Sequence, residues 1–193
     1  MPVIRAFIAI ELTQQIHQGL DQVISQLKNR LEGSTVRWVR AENIHLTLKF
    51  LGEVSTANVE ILEKLLRAEA AGCPHFEISV GGLGAFPNAH NPRVIWVGVE
   101  APSDLIGLQR LIEAATEHLG YMKEDRPFSA HLTLGRVSRN AAPREARLIG
   151  DVLESTKVGF LGAAHISAVH LFKSELSTTG SIYTKIFSAP LRN

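Results

Sequence analysis

The sequence predicts one bilobed α+β unit with mainly antiparallel strand pairing. Three observations predict it. Short runs rich in β-branched and aromatic residues alternate with amphipathic stretches of helical period along all 193 residues. The tetrapeptide His-Leu-Thr-Leu occurs twice, at 45–48 and at 131–134, one copy in each half. No Pro-, Gly- or Ser-rich linker divides the halves, so residues 1–193 read as a single bilobed domain with one such motif per lobe.

The elements follow in order. "VIRAFIAIEL" (3–12) reads as a strand. Thr13 is a candidate N-cap for a helix over 14–31 with Ile16, Leu20, Val23, Ile24, Leu27 and Leu31 on one stripe. "TVRWV" (35–39) and "IHLTLKFLG" (44–52) read as strands. Ser55 or Thr56 caps a helix over 57–70, and "HFEISVGGLGAF" and "RVIWVGVE" are strands flanking the loop "PNAHNP". The order then repeats. Pro102-Ser103 starts a helix over 103–119, a strand covers 129–137, and a helix covers 142–155. "VGFLGAAHISAVHLFKSE" and "SIYTKIFSAPL" close the chain as strands joined by the turn "LSTTG".

Composition excludes several classes. Apolar residues are 45% and charged residues 20%, ordinary for a globular protein and unlike a disordered one. A net charge of +1 advertises no duplex nucleic acid, although a partner carrying one or two phosphates needs only a few local cations. Cys73 is the single cysteine, so an internal disulfide and a multi-thiolate zinc site are excluded. The N-terminus lacks the apolar core and cleavage site of a signal peptide, and no run is long enough to span a membrane. A cytoplasmic protein without membrane attachment is the expectation, and no obligate protein partner is evident.

The repeated tetrapeptide is the strongest signal. With eight His, ten Thr and 23 Leu among 193 residues, roughly 0.006 copies are expected by chance. In a strand, alternate side chains share a face, so His45 and Thr47 point one way while Leu46, Leu48 and Phe50 point to the core. His131 and Thr133 stand in the same relation to Leu132 and Leu134. If the lobes pack about a pseudo-two-fold axis, the two polar faces converge on one cleft. Two imidazoles titrating near neutrality suit paired acid–base chemistry, and threonine hydroxyls suit the non-bridging oxygens of a phosphate. The repeat offers no carboxylate or thiolate, which disfavours a metal site, and no activated serine or cysteine for a nucleophilic triad.

These residues resemble the two-histidine phosphoesterases, and within them the RNA 2′,3′-cyclic phosphodiesterases, also called 2′-5′ RNA ligases. The likeness rests on "RAFIAIEL", "WVRAENIHLTLKFLGEV", "RPFSAHLTLGRV" and "LFKSELSTTGSIYTKI". It implies two antiparallel sheets with helices outside and an active-site cleft between them. It further implies hydrolysis of a 2′,3′-cyclic phosphate end of RNA or a nucleotide to a 2′-phosphate, without metal or other cofactor. It implies as well a ligase reaction that would join a 5′-hydroxyl to the cyclic phosphate as a 2′-5′ linkage. By motif, His45 would be the proton donor to the 3′-oxygen, His131 the proton acceptor from water, and Thr47 and Thr133 phosphate-binding. Ala130 stands where many members have proline. Intact histidines favour an enzyme over the alternative, a nucleotide- or RNA-binding module that keeps the pocket with little catalysis.

Other residues stay open. Arg136 is either a phosphate ligand or a surface cation, because strict alternation turns it away from His131 unless Gly135 forms a bulge. Lys49 shares parity with His45 and is a candidate substrate contact. Arg5, Arg126 and Lys173 are weaker candidates for an RNA backbone. Trp38, Phe7, Phe50 and Tyr183 read as core, with a base-stacking role open to one on the cleft rim. His165 and His170 read as structural, and His17, His75, His90 and His118 as solvated.

Overall fold

The N-terminal apolar run folds as a strand whose two faces serve different neighbours. In β1 (Val3–Ile10), Ala6, Ile8 and Ile10 belong to the main core, whereas Phe7 and Ala9 join Phe172 in a separate small cluster. The structure is a computed structural model describing residues 2–177 and 180–193. The helices are α1 (Gln14–Arg30), α2 (Thr56–Gly72), α3 (Ser103–His118) and α4 (Pro143–Ser155). The Thr13 hydroxyl accepts from the Ile16 amide at 3.4 Å, and the Ser55 hydroxyl accepts from Ala57, which satisfies amides that open a helix. The remaining strands are β2 (Val36–Trp38), β3 (Leu46–Ser55), β4 (Phe76–Phe86), β5 (Val94–Glu100), β6 (His131–Val137), β7 (Phe160–Ile166), β8 (Ala168–Ser177) and β9 (Gly180–Pro190). The turn read at 176–180 includes Thr178 and Thr179, which lie outside the described residues.

Two antiparallel sheets result, ordered β3-β1-β8-β9 and β2-β6-β5-β4-β7. Each holds one His-Leu-Thr-Leu copy, in β3 and β6. The sheets do not coincide with the halves of the sequence. The final hairpin β8–β9 returns to pair with β1, and β2 crosses to pair with β6. The closing block read as continuous is cut at Ser167, with β7 in one sheet and β8 in the other. Helices α2 and α3 lie beside the β3 sheet, and α1 and α4 contact β7 and β4. Among the described residues no helix is long and apolar enough to cross a membrane.

The motif leucines anchor both sheets: Leu46, Leu132 and Leu134 are 0% exposed and Leu48 is 4% exposed. Each such burial contributes on the order of 1.5–3 kcal/mol. Both strands are bulged at the fourth motif residue. Thr47 pairs with Ala9 while Lys49 pairs with Ile8, leaving Leu48 extra; Thr133 pairs with Trp96 while Gly135 pairs with Ile95, leaving Leu134 extra. An extra residue inverts the alternation beyond it. Phe50 is therefore 64% exposed, where alternation from Leu46 and Leu48 places it in the core, and Lys49 is 2% exposed, where alternation places it beside His45.

Candidate active site

A 3-10 turn over Ala41–Asn43 ends just before His45, which precedes β3. The His45 Nδ1 lies 3.0 Å from the Asn43 carbonyl oxygen. A carbonyl only accepts, so Nδ1 carries the hydrogen and Nε2 is the nitrogen left for chemistry. Asn43 is itself held, its side-chain amide donating to the Ser181 carbonyl of β9 at 2.9 Å. His131 opens β6 with the same local bond: its Nδ1 is 2.7 Å from the carbonyl oxygen of Ser129, again two residues earlier. The two histidines thus share tautomer and tethering.

Their surroundings differ. The His45 ring packs 4.6 Å from Phe172, with Tyr183 at 5.8 Å and Phe7 at 6.2 Å, all from β1, β8 and β9. Burial lowers its pKa below the ordinary value of about 6.5, against the opposing pull of the Asn43 carbonyl bond and the Glu11 carboxylate. The His131 ring stands nearly perpendicular to Phe86, with 4.9 Å between ring centroids, at the end of β4. Behind His45, the Glu11 carboxylate receives Lys185 at 2.7 Å and lies 3.5 Å from His170 Nε2. His170 Nδ1 is 2.9 Å from the Ser188 hydroxyl, and burial lowers this imidazole's pKa as well.

His45, Thr47, His131, Thr133 and Arg136 line one cavity of about 360 Å3, within the size range of small-molecule sites. Arg136 arrives there because the bulge falls at Leu134, one residue before the glycine considered from sequence. Phe50, Tyr183 and Arg126 also line the cavity. Arg5 is exposed on the Phe7 face of β1, outside the lining, and Lys173 points to the other face of β8, where it pairs with Glu175 at 2.9 Å. Lys49 borders the cavity too, but its side chain is 1% exposed. It is enclosed in an ion pair with Glu113. The histidines read as solvated include three pairings: His17 Nδ1 lies 2.8 Å from the Ala41 carbonyl oxygen, His118 Nδ1 lies 2.6 Å from the Ala114 carbonyl oxygen, and His75 lies 3.2 Å from His165. Among the described residues no cluster of three or more His, Cys, Asp or Glu side chains is arranged to hold a metal ion.

Strand alternation puts Phe50 in the core, with a rim role left open to it, and motif reading gives no sign of the Asn43 and Ser129 carbonyls. The one signal for Phe50 was spacing, since it follows His45 by five residues as Arg136 follows His131.

Two antiparallel sheets that each lend a His-x-Thr strand to a shared cavity define a two-histidine phosphoesterase. The LigT-like phosphoesterase family matches over residues 10–96. An RNA 2′,3′-cyclic phosphodiesterase of Methanothermobacter thermautotrophicus is 34% identical over 181 residues, covering 94% of this chain and 95% of the relative. Its counterpart from Thermotoga maritima is 35% identical over 185 residues, covering 95% and 93%. The structure of E. coli LigT complexed with 3′-AMP superposes with a TM-score of 0.76 at 26% identity, over 100% of both chains. The chain belongs to the LigT-like phosphoesterase family.

Proposed function

We propose that the protein is an RNA 2′,3′-cyclic phosphodiesterase whose two histidines share acid–base catalysis without a metal ion. The observation that carries this reading is the matched pair of imidazoles, each tethered through Nδ1 to the carbonyl two residues earlier and each lining the same cavity. Relatives named for this activity, and a solved relative carrying 3′-AMP, support a nucleotide phosphate as ligand.

In this reading His131 Nε2 accepts a proton from water as the water oxygen attacks phosphorus. His45 Nε2–H donates a proton to the 3′-oxygen as its bond to phosphorus breaks, which leaves a 2′-phosphate. Thr47 and Thr133 donate hydroxyl hydrogen bonds to the non-bridging oxygens, and Arg136 offsets the charge that grows on them. Phe50 offers an aromatic face to the terminal base. Burial disfavours the His45 imidazolium in the free protein, and an anionic phosphodiester in the cavity restores it. The acid is thereby charged when substrate arrives. With an RNA 5′-hydroxyl in place of water, the same step run in the same direction forms a 2′-5′ linkage: His131 takes the hydroxyl proton and His45 protonates the departing 3′-oxygen. The natural setting proposed for both reactions is RNA end processing in the cytoplasm, carried out by residues 1–193 as one bilobed domain.

The test is incubation of the purified protein with a 2′,3′-cyclic nucleotide in EDTA. Release of the 2′-phosphate, abolished by His45→Ala and separately by His131→Ala, is expected. Binding without turnover would show a module rather than an enzyme.

A further inference from the structure

A buried ion pair outside the reacting groups connects the two histidine strands. Lys49 follows His45 by four residues and is 2% exposed. Its ammonium donates to Glu113 Oε1 at 2.5 Å and to the Met122 carbonyl at 2.5 Å. Glu113, on α3, accepts through the same Oε1 from the Glu124 amide at 2.9 Å. Its other oxygen accepts from Gln109 Nε2 at 3.4 Å, which also donates to the carbonyl of the bulged Leu48 at 3.4 Å.

The partners of this pair matter because of where they lie. Residues 119–130 run from α3 to β6 without helix or strand. At one end the Tyr121 amide bonds to Thr116, and at the other the Ala130 carbonyl accepts from Val99. Between those ends Met122 and Glu124 are fastened to Lys49 and Glu113. Farther along, Arg126 lines the cavity and Ser129 orients His131 through its carbonyl. A continuous path therefore runs from His45 along β3 to Lys49, across to Glu124, and through Ser129 to His131.

The second motif lacks this device. Gly135 stands where Lys49 stands, four residues after its histidine, and a Cβ there would lie 2.9 Å from Val36 Cγ1 and 3.0 Å from Trp38 Cε3. A buried ion pair is weak evidence for added stability, since apolar residues of equal volume commonly serve as well. What apolar residues cannot do is bond Met122 and Glu124 in a fixed place.

We propose that Lys49 and Glu113 form a positioning pair that sets the spacing of His131 against His45 by fastening residues 122–124 to the first motif strand. The inference rests on the phosphodiesterase reading for its consequence, because transfer to opposite oxygens of one phosphate tolerates little misplacement of either imidazole. A shift of about 1 Å costs about a hundredfold in rate.

Single substitutions leave a buried charge unpaired, so the informative variant is the double Lys49→Met/Glu113→Gln, which keeps shape and leaves an acceptor for the Glu124 amide. Assayed on a 2′,3′-cyclic nucleotide well below its melting midpoint, it is expected to lose about 10- to 100-fold in kcat while KM changes little. A kcat within about twofold of the natural protein would overturn the proposal. Hydrogen exchange of the natural protein gives an independent reading that needs no variant. The Glu124 amide is expected to be protected as strongly as the amides of β3, and exchange at an exposed-loop rate would overturn the tether. If the natural protein turns over no cyclic nucleotide, the phosphodiesterase reading fails, and the exchange result still decides whether the tether exists.

Discussion

Phe50 and Arg136 occupy the same step of the two motifs, each five residues after its histidine, and each reaches the cavity through a bulge two residues earlier. One backbone device thus presents an aromatic face from one sheet and a guanidinium from the other. The repeat is symmetric in its histidines, threonines and leucines, and it becomes asymmetric at this step. A nucleotide with a base at one end and a phosphate at the other has the same asymmetry.

Removing these two side chains should therefore produce different kinetic losses. Arg136→Ala is expected to lower kcat about 100- to 1000-fold, because a charge-stabilising donor acts mainly in the transition state. Phe50→Ala is expected to raise KM about 5- to 150-fold with a smaller change in kcat, in line with about 1–3 kcal/mol for base stacking. Steady-state kinetics on a cyclic nucleotide separate them. Equal losses in kcat from both would contradict the division of labour.

The pH dependence should shift between the free and bound enzyme. In the proposed mechanism His45 must carry a proton to act as the acid, and burial holds its free pKa below about 6.5. The profile of kcat/KM follows the free protein, so its decline with rising pH begins below 6.5. The profile of kcat follows the complex, where the phosphate anion favours the imidazolium, so its decline begins at higher pH. Coincident declining limbs would mean that the substrate does not charge His45.

Stability should fall in mild acid for a related reason. His45 and His170 are both held below their ordinary pKa, in each case chiefly by burial. The unfolded chain takes up these protons near pH 6.5 and the folded protein only at lower pH. Between those values the unfolded state binds more protons, so stability is full above about 6.5 and declines as pH falls through the folded values. Thermal melts from pH 7 to pH 5 should show a falling midpoint, with a shallower fall in His170→Gln. An unchanged slope in that variant would remove His170 from the account.

Much of this was legible in the sequence because local rules carried it. Thr13 and Ser55 mark helix starts through their own hydroxyls, and the motif leucines mark core faces through period-two alternation. The faces of Lys49 and Phe50 were not legible. A bulge depends on how β1 and β3 pair, and nothing within "HLTLKF" specifies it. The crossing of β8–β9 back to β1 is hidden for the same reason, since strand pairing is a non-local choice. Spacing relative to each histidine survives such effects. Both bulges fall at the same motif residue, so Phe50 and Arg136 stay equivalent.

Gly135 offers the sharpest test of how the second motif aims its cation. It faces β2, where its missing side chain leaves room for Val36 and Trp38, and it directly precedes Arg136. An alanine methyl there meets Val36 Cγ1 at 2.9 Å, closer than van der Waals contact allows, and a branched side chain in a strand has little freedom to retreat. Either β2 moves outward or β6 is displaced toward the cavity. Gly135→Ala should therefore lower stability by about 1–3 kcal/mol, as overpacking does. Its effect on kcat should exceed its effect on KM, because Arg136 moves with the strand. Denaturant melts and steady-state kinetics on one preparation check both, and a stable, fully active Gly135→Ala protein would show that this strand has slack the packing does not reveal.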